Sequence, residues 1–113
     1  MTTNSDDLLQ ITRDTRGVVT LTLNDPARFN ALGSEMLSAL QRALDDAGRD
    51  ESVRVVVLAA AGKAFCAGHN LKDMAAHPEL AYYQQLFAQC SRMMLSIHKL
   101  SVPVIARVQG MAT

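Results

Sequence analysis

The stretch VVVLAAAGKAFCAGHN, from Val55 to Asn70, predicts a buried strand followed by a loop, which is typical of an α/β fold. Its first four residues form the continuous apolar, mostly β-branched run that is typical of a parallel strand covered on both faces. Gly62 and Gly68 then lie among small residues, which predicts a close-fitting loop. Ligands of open α/β sheets bind outside the carboxyl ends of the strands. This loop is therefore the first candidate for a binding site.

Upstream of this strand the sequence predicts a β-hairpin. Residues Val18–Leu23 alternate apolar side chains with threonines, which is the period of a half-buried strand. Arg16-Gly17 is typical of a turn, so Leu8–Thr12 is expected to be the partner strand. Asp25-Pro26 should end the hairpin, because proline lacks the backbone donor of a strand ladder and restricts the residue before it.

Two helices are predicted, one before and one after the central stretch. Leucines at helical spacing follow Ser34, whose side chain is expected to cap a helix over residues 34–47. A longer helix should follow Pro78, since proline suits the first helical position. Its apolar stripe is expected to lie on a sheet and consists of Leu80, Tyr83, Phe87, Cys90, Met94 and Ile97.

A last buried strand is predicted at Pro103–Val108, before the turn residues Gln109-Gly110. No internal repeat, linker or low-complexity tract interrupts the chain. Residues 1–113 are therefore expected to be one piece of one α/β domain, with a mostly parallel sheet, covering helices and right-handed parallel crossovers.

Composition limits the classes of partner. With 113 residues, of which 49% are apolar, the chain can form one packed domain. Eleven basic residues balance eleven acidic ones, so no charge pattern favours nucleic acid or an anionic membrane. No apolar run approaches the roughly 18 residues of a membrane span, and Met1–Asp7 does not resemble a signal or transit peptide. We expect a cytoplasmic protein with no nucleic-acid or membrane partner.

Cysteine and histidine positions do not predict a metal site. Cys66 and Cys90 are expected to remain reduced, because the chain shows no secretion signal. Zinc ligands could be assembled from Cys66, His69 and His77, but structural sites need four ligands and no fourth candidate lies near them. The prediction is therefore that no metal is bound.

Other catalytic and binding motifs find no support. The chain contains no Gly-x-Ser-x-Gly elbow for a serine nucleophile. Its glycines also match neither a dinucleotide-binding nor a Walker pattern. Tyr82, Tyr83 and Phe87 could be an aromatic ligand box, but helical spacing favours core packing.

Three stretches, taken together, carry a family likeness. They read NDPARFNAL (Asn24–Leu32), AFCAGHNL (Ala64–Leu71) and PVIARVQG (Pro103–Gly110). In this order and spacing they resemble the enoyl-CoA hydratase/isomerase (crotonase) family. The resemblance runs from about residue 9 to the last residue. It implies a crotonase-like spiral of ββα units, incomplete here, that assembles in the complete protein as a homotrimer or hexamer and binds acyl-CoA thioesters.

The resemblance also implies a chemistry, the stabilisation of a thioester enolate. In the family, two backbone N–H groups point at the thioester oxygen, and each such preorganised donor lowers the barrier by about 3 kcal/mol. The first belongs to the residue after the glycine of the Phe-x-Ala-Gly stretch, which is His69 here. Ala67, Asn70 and Leu71 match positions that line the pantetheine arm and the acyl pocket.

A second segment is implied to contact the nucleotide end of coenzyme A. Arg28, Phe29 and Ala31 match that loop of the family. A guanidinium suits phosphate recognition, because its planar donors can bind two oxygens at once. Coenzyme A is part of the substrate, so no separate cofactor is expected.

The remaining catalytic groups are expected beyond Thr113. The resemblance places the second N–H in a glycine-rich turn after Gly110, and the acid and base glutamates in the helix that follows and beyond it. The main functional prediction is hydration of trans-2-enoyl-CoA. His69-Asn70 stands where hydratases commonly have Ala-Asp, and some decarboxylases of the family share the histidine. Another crotonase reaction, isomerase or decarboxylase, stays open, as does a non-catalytic fragment or assembly module.

Overall fold

A computed structural model describes residues 7–113 of the chain. The elements in chain order are β1 (Leu9–Arg13), β2 (Val18–Leu23), a 3-10 turn (Pro26–Arg28), α1 (Ser34–Arg49), β3 (Val55–Ala60), β4 (Ala64–Cys66), α2 (Leu71–Ala76), α3 (Leu80–Lys99), β5 (Val104–Ala106) and β6 (Met111–Ala112). Residues 1–6, where the sequence predicts no signal or transit peptide, lie outside the described residues. Across residues 7–113, no helix has both the length and the apolar character needed to cross a membrane.

Four strands form the main sheet in the order β1-β2-β3-β5. β1 and β2 pair antiparallel with Leu9 opposite Leu23, whereas β3 is parallel to both of its neighbours. Gly17 makes the hairpin turn with a φ of 86°, and a Cβ there would lie 2.5 Å from the carbonyl oxygen of Ser52. Glycine is thus required at the turn. The predicted hairpin and the mostly parallel α/β sheet are confirmed.

The core lies between α1, the inner face of the sheet and α3. Alternate residues of β2 are buried, as the threonine pattern predicts. Burial of each large aliphatic side chain contributes about 1.5–3 kcal/mol relative to exposure. The most deeply buried large apolar side chains are Leu21, Met36, Leu37, Leu44 and Val56.

Helix α1 has the predicted position, but Ser34 does not cap it. Gly33 is the capping residue and makes no side-chain cap bond. The Ser34 hydroxyl instead lies 3.0 Å from Oε1 of Gln89, and Nε2 of Gln89 donates to the Ser34 carbonyl over 3.0 Å. The start of α1 is therefore fixed by a partner on α3, which local sequence patterns do not show.

The predicted packing stripe of the long helix is wrong in part. α3 begins at Leu80 after a Glu79 cap, so Pro78 lies before the helix. Its fully buried residues are Leu86 and Met93, because α3 packs mainly on α1 rather than on the sheet. Tyr83, Cys90 and Ile97 are half-buried. Three members of the predicted stripe are exposed, and we call them the outer stripe: Leu80 (70%), Phe87 (44%) and Met94 (44%).

The loop expected after the central strand contains one short strand, β4. β4 pairs in parallel with β6, and α2 follows directly after Asn70. A Cβ on Gly110 would lie 2.0 Å from the carbonyl oxygen of Lys63, so the two segments approach in backbone contact. The pairing of β4 with β6 joins residues far apart in sequence, and neither strand is long enough to show a period.

Candidate functional site

The residues that the resemblance singles out line the same cleft. This cleft has a volume of about 910 Å³. Its walls include Arg28, Phe29, Ala31, Ala67, His69, Asn70 and Leu71. They come from two separate segments of the chain, 28–31 and 67–71, which the fold places side by side. Lys72, Asp73 and Tyr82 extend the lining with polar groups that the sequence did not indicate.

Backbone hydrogen bonds hold the two segments together. The Ala67 amide donates to the Phe29 carbonyl over 3.0 Å, and the Leu32 amide donates to the Gly68 carbonyl over 2.7 Å. Leu32 and His69 form a parallel bridge. Residues 29–32 thus run alongside residues 67–69 as a short strap, which we call the strap segment (Phe29–Leu32).

The amide of His69 is left out of this pairing. Within residues 7–113, the His69 N–H donates no hydrogen bond to another protein group. Gly68, with a φ of 85°, makes the turn just before it, a conformation that a side chain would strain. A backbone donor without a protein partner, on a residue that lines a cleft, is available to a ligand oxygen.

The ring of His69 lies in an apolar setting. Its Nδ1 is buried and has no hydrogen-bond partner among the described residues. The ring meets Phe87 edge-on, with centroids 5.1 Å apart and an interplanar angle of 62°. A histidine that acts as acid or base is usually oriented by a hydrogen bond on its second nitrogen. Here an aromatic contact holds the ring instead.

Asn70 and Leu71 lie where the cleft meets α2. The Asn70 side chain accepts a hydrogen bond from the Asp73 amide over 3.0 Å and so caps that helix. Leu71 is 75% exposed, so its apolar side chain is available at the rim. Asn70 therefore has a local structural role beside its place in the lining.

Arg28 lies at the mouth of the cleft. Its guanidinium is 3.4 Å from the Asp25 carboxylate, and its side chain is 67% exposed. An exposed ion pair of this kind contributes little, typically about 0–1 kcal/mol, so the guanidinium can exchange partners at small cost. The geometry leaves Arg28 free to meet an anionic group of a ligand.

Asn30 is a structural residue of the site whose importance the sequence did not reveal. It is fully buried, with 0% exposure, and it has a left-handed backbone with a φ of 56°. Its amide side chain bonds backbone groups on both sides of the strap segment. A signal was available in its position between Phe29 and Ala31, because asparagine tolerates left-handed turns better than other residues with a side chain.

A polar cluster between α2 and α3 was also not predicted from the sequence. The Tyr82 hydroxyl donates a short hydrogen bond to the Asp73 carboxylate, and the His77 ring stacks on Tyr82 at 4.8 Å. The bond to Asp73, with a smaller contribution from burial, raises the pKa of the Tyr82 phenol above its ordinary value of 10.0. The phenol therefore remains a donor at neutral pH. No pattern predicts this cluster, since the residues meet only through the bend between the helices.

The three candidate zinc ligands, Cys66, His69 and His77, do not form a metal site. No group of three or more His, Cys, Asp or Glu side chains that could hold a metal lies within residues 7–113. Cys66 and Cys90 are free thiols, and burial raises the pKa of Cys90. The Cys66 sulfur accepts from the Gly68 amide over 3.4 Å. His77 lies against Asp73, so Cys66, His69 and His77 do not share one centre.

Comparison with known proteins assigns the family. The family model described as enoyl-CoA hydratase/isomerase matches residues 13–113. The chain belongs to the enoyl-CoA hydratase/isomerase family. Among solved crotonase-family structures, an enoyl-CoA hydratase of Mycobacterium smegmatis has 61% identity and a TM-score of 0.88, over 89% of this chain and 39% of that one. The crotonase-like fold and the resemblance read from the sequence are both confirmed.

Curated relatives carry several names. The chain is 35% identical to enoyl-CoA hydratase domain-containing protein 3, mitochondrial, of Xenopus laevis, over 93% of this chain and 36% of that protein. It is 36% identical to 1,2-epoxyphenylacetyl-CoA isomerase of Escherichia coli strain K12, over 86% of this chain and 38% of that protein. The crotonase chain described here thus spans little more than a third of these relatives, whose names do not agree on one reaction.

Proposed function

We propose that this chain forms the thioester-binding half of an acyl-CoA site, and that the complete protein is an enoyl-CoA hydratase acting on trans-2-enoyl-CoA. The observation that supports the proposal most directly is the amide of His69, which has no hydrogen-bond partner among residues 7–113 and belongs to a residue that lines the cleft. Family membership supports the substrate class, because the matching family model is described by enoyl-CoA chemistry.

The proposed role of His69 is that of an oxyanion donor. When water adds to an enoyl thioester, negative charge develops on the thioester oxygen. An amide dipole already held in place stabilises that charge without reorganising, an effect of about 3 kcal/mol for each donor. The strap bonds at Ala67 and Gly68 hold the backbone on the amino-terminal side of this amide.

The other lining residues are proposed to bind the rest of the acyl-CoA. Arg28 and Phe29 would meet the nucleotide end, with the guanidinium placed for phosphate. Ala31, Ala67 and Leu71 offer small or apolar surface to the pantetheine arm and the acyl group. We propose no separate cofactor, because coenzyme A arrives as part of the substrate.

The second donor and the acid–base pair are proposed to come from residues outside the 113-residue sequence. Residues 1–113 would then be the amino-terminal part of one crotonase-like domain. We further propose a homotrimer or hexamer for the complete protein, and a cytoplasmic location. The Xenopus relative is named as mitochondrial, so fractionation of cells that express the tagged complete protein is the measurement that decides the location.

A second candidate is another crotonase reaction, isomerisation or decarboxylation. It is favoured by the buried Nδ1 of His69, which has no partner in the described part of the chain, and by the isomerase among the relatives. If the imidazole takes part in proton transfer, replacement of the ring would remove activity. If only the amide acts, replacement of the ring would leave most of it. A third candidate, a non-catalytic assembly module, is favoured by the exposed outer stripe of α3.

Ligand binding tests the thioester proposal directly. Calorimetric titration of the purified protein should give tighter binding for crotonyl-CoA than for free coenzyme A, because only the thioester offers its carbonyl to the His69 amide. Arg28→Ala is expected to weaken both ligands by a similar factor, since both carry the nucleotide phosphates. Equal affinity for the two ligands in the unmutated protein would contradict the oxyanion-donor role.

A further inference from the structure

We propose that Asn30 is a positioning residue for the His69 amide, because its side chain fixes the strap segment against the loop that carries His69. The inference rests on the proposed function, since it concerns the same thioester site. It adds a residue that does not touch the ligand and that acts through the backbone of its neighbours.

Asn30 uses its whole side chain to join two loops. Its Oδ1 accepts from the Asp25 amide over 2.8 Å, which closes the turn before the strap. Its Nδ2 donates to the carbonyl oxygens of Ala61 and Ala64 over 2.9 and 3.0 Å. Because Asn30 is fully buried, removal of its side chain leaves the Asp25 amide and the two carbonyls without these partners.

The backbone at this point is unusual. Phe29 and Asn30 both have left-handed conformations, with φ values of 53° and 56°. A bulky residue such as phenylalanine rarely adopts this conformation, and it persists only where the surroundings enforce it. The bonds of the neighbouring Asn30 side chain supply that enforcement.

Hydrogen bonds of the strap segment fix the position of the backbone next to His69. Phe29, just before Asn30, accepts from the Ala67 amide, and Leu32 donates to the Gly68 carbonyl. The Gly68–His69 peptide therefore has its carbonyl oxygen pinned by Leu32. Because a peptide unit is planar, fixing that carbonyl also fixes the direction of the His69 N–H. A rotated strap would turn this donor away from the thioester oxygen.

Gln109 supplies a comparison within the same chain. Its Nε2 donates to the Gly62 and Ala64 carbonyls over 2.9 and 3.1 Å, so it holds the same loop as Asn30. Among the described residues, neither side-chain bond of Gln109 reaches the strap segment. Gln109→Ala therefore loosens the 62–64 loop without acting on the strap, whereas Asn30→Gly keeps the left-handed backbone and removes the strap's anchor.

The first measurement needs no ligand. In amide NMR spectra of the purified protein, Asn30→Gly should shift the His69 amide resonance and speed its hydrogen exchange, and Gln109→Ala should change both much less. Equal effects of the two variants would overturn the proposal, because Asn30 would then be one more loop anchor. This outcome is independent of whether the protein binds thioesters.

The second measurement uses crotonyl-CoA with a 13C-labelled thioester carbonyl. In the unmutated protein, infrared spectroscopy should show the carbonyl band lowered from its solution position, because the His69 amide polarises the bond. A band at the solution position would defeat the proposed function and leave the NMR test of Asn30 standing. In Asn30→Gly the band should return toward the solution position, and crotonyl-CoA should bind at least about tenfold more weakly while free coenzyme A changes little.

Two results would overturn the positioning role in this second experiment. One is an unchanged carbonyl band in Asn30→Gly, and the other is an equal loss of affinity for crotonyl-CoA and coenzyme A. Asn30→Ser, which keeps one short donor, serves as a second variant if Asn30→Gly does not fold. If both variants are unfolded by circular dichroism, Asn30 is a residue of the fold rather than of the site, and the proposal is wrong.

Discussion

The Leu32 amide donates to the Gly68 carbonyl over 2.7 Å, and this bond aligns two loops of the cleft that lie far apart in sequence. One loop carries Arg28 and the other carries His69. The spacing between these two loops is therefore set in part by a backbone hydrogen bond. Loss of the bond between Leu32 and Gly68 is expected to change the spacing between these two loops.

The roles of the His69 amide and of the His69 ring can be tested separately by two different replacements. In the complete protein, if it has the proposed activity, His69→Ala should preserve thioester binding and lower turnover by less than about tenfold, because the amide remains. Replacement of the same amide by an ester, which deletes the donor, should lower turnover about a hundredfold or more. Steady-state kinetics on crotonyl-CoA measure both. If His69→Ala instead abolishes turnover, the imidazole acts as acid or base.

The 113-residue chain alone is expected to have no measurable hydratase activity. One oxyanion donor without an acid–base pair leaves most of the barrier in place. The assay follows the double-bond absorbance of crotonyl-CoA with rigorously purified protein. A catalysed loss of that absorbance would show that residues 1–113 contain a complete site.

The outer stripe of α3 should make the chain associate. Leu80 and Met94 expose apolar surface at helical spacing, and exposed apolar patches often form contacts between protein molecules. Met94→Glu should reduce self-association measured by sedimentation velocity at micromolar concentration. Ala88→Glu, on a different exposed face of α3, adds the same charge and is the matched control. A stable monomer in the unmutated protein would count against this prediction.

The ionised Asp50 carboxylate is expected to stabilise the folded chain, and this contribution should be lost in acid. Hydrogen bonds from the Ser52 hydroxyl and amide, and then from Arg13, lower the pKa of Asp50 from 3.8 to about 2. A carboxyl with a lowered pKa stabilises the fold above its unfolded value and loses that contribution as pH falls through the folded one. The difference in thermal midpoint between the unmutated chain and Asp50→Asn should therefore shrink from about pH 4 to pH 2. A constant difference across this range would contradict it.

The Tyr82 phenol is expected to lose its proton at a higher pH than an ordinary tyrosine. The chain has two tyrosines, so Tyr83→Phe leaves Tyr82 as the only phenol seen by ultraviolet titration. The hydrogen bond to Asp73 is the largest cause of its raised pKa. The stability that this bond contributes should be lost as pH rises through the raised pKa. Adding Asp73→Asn should bring the pKa back toward 10.0. An unchanged titration in the double variant would assign the shift to burial alone.

The amino-acid sequence by itself determined the elements whose signals are local. Alternating threonines specify β2, leucine spacing specifies α1, and the run Val55–Leu58 specifies a parallel strand, because strand and helix periods are properties of neighbouring residues. Three short motifs were enough to indicate the family. They also named the residues that line the cleft, although not what holds them together.

Tertiary structure alone decided the features that depend on contacts between distant segments. β4 and β6 become strands only by pairing with each other, and the side of α3 that is buried follows from where α1 lies. The hydrogen bonds from Asn30 to Ala61 and Ala64 form where two loops meet, and so does the strap segment, beside which the His69 amide has no partner among residues 7–113. Sequence periodicity reports which side chains share a face, whereas a hydrogen bond between two loops needs the path of both backbones.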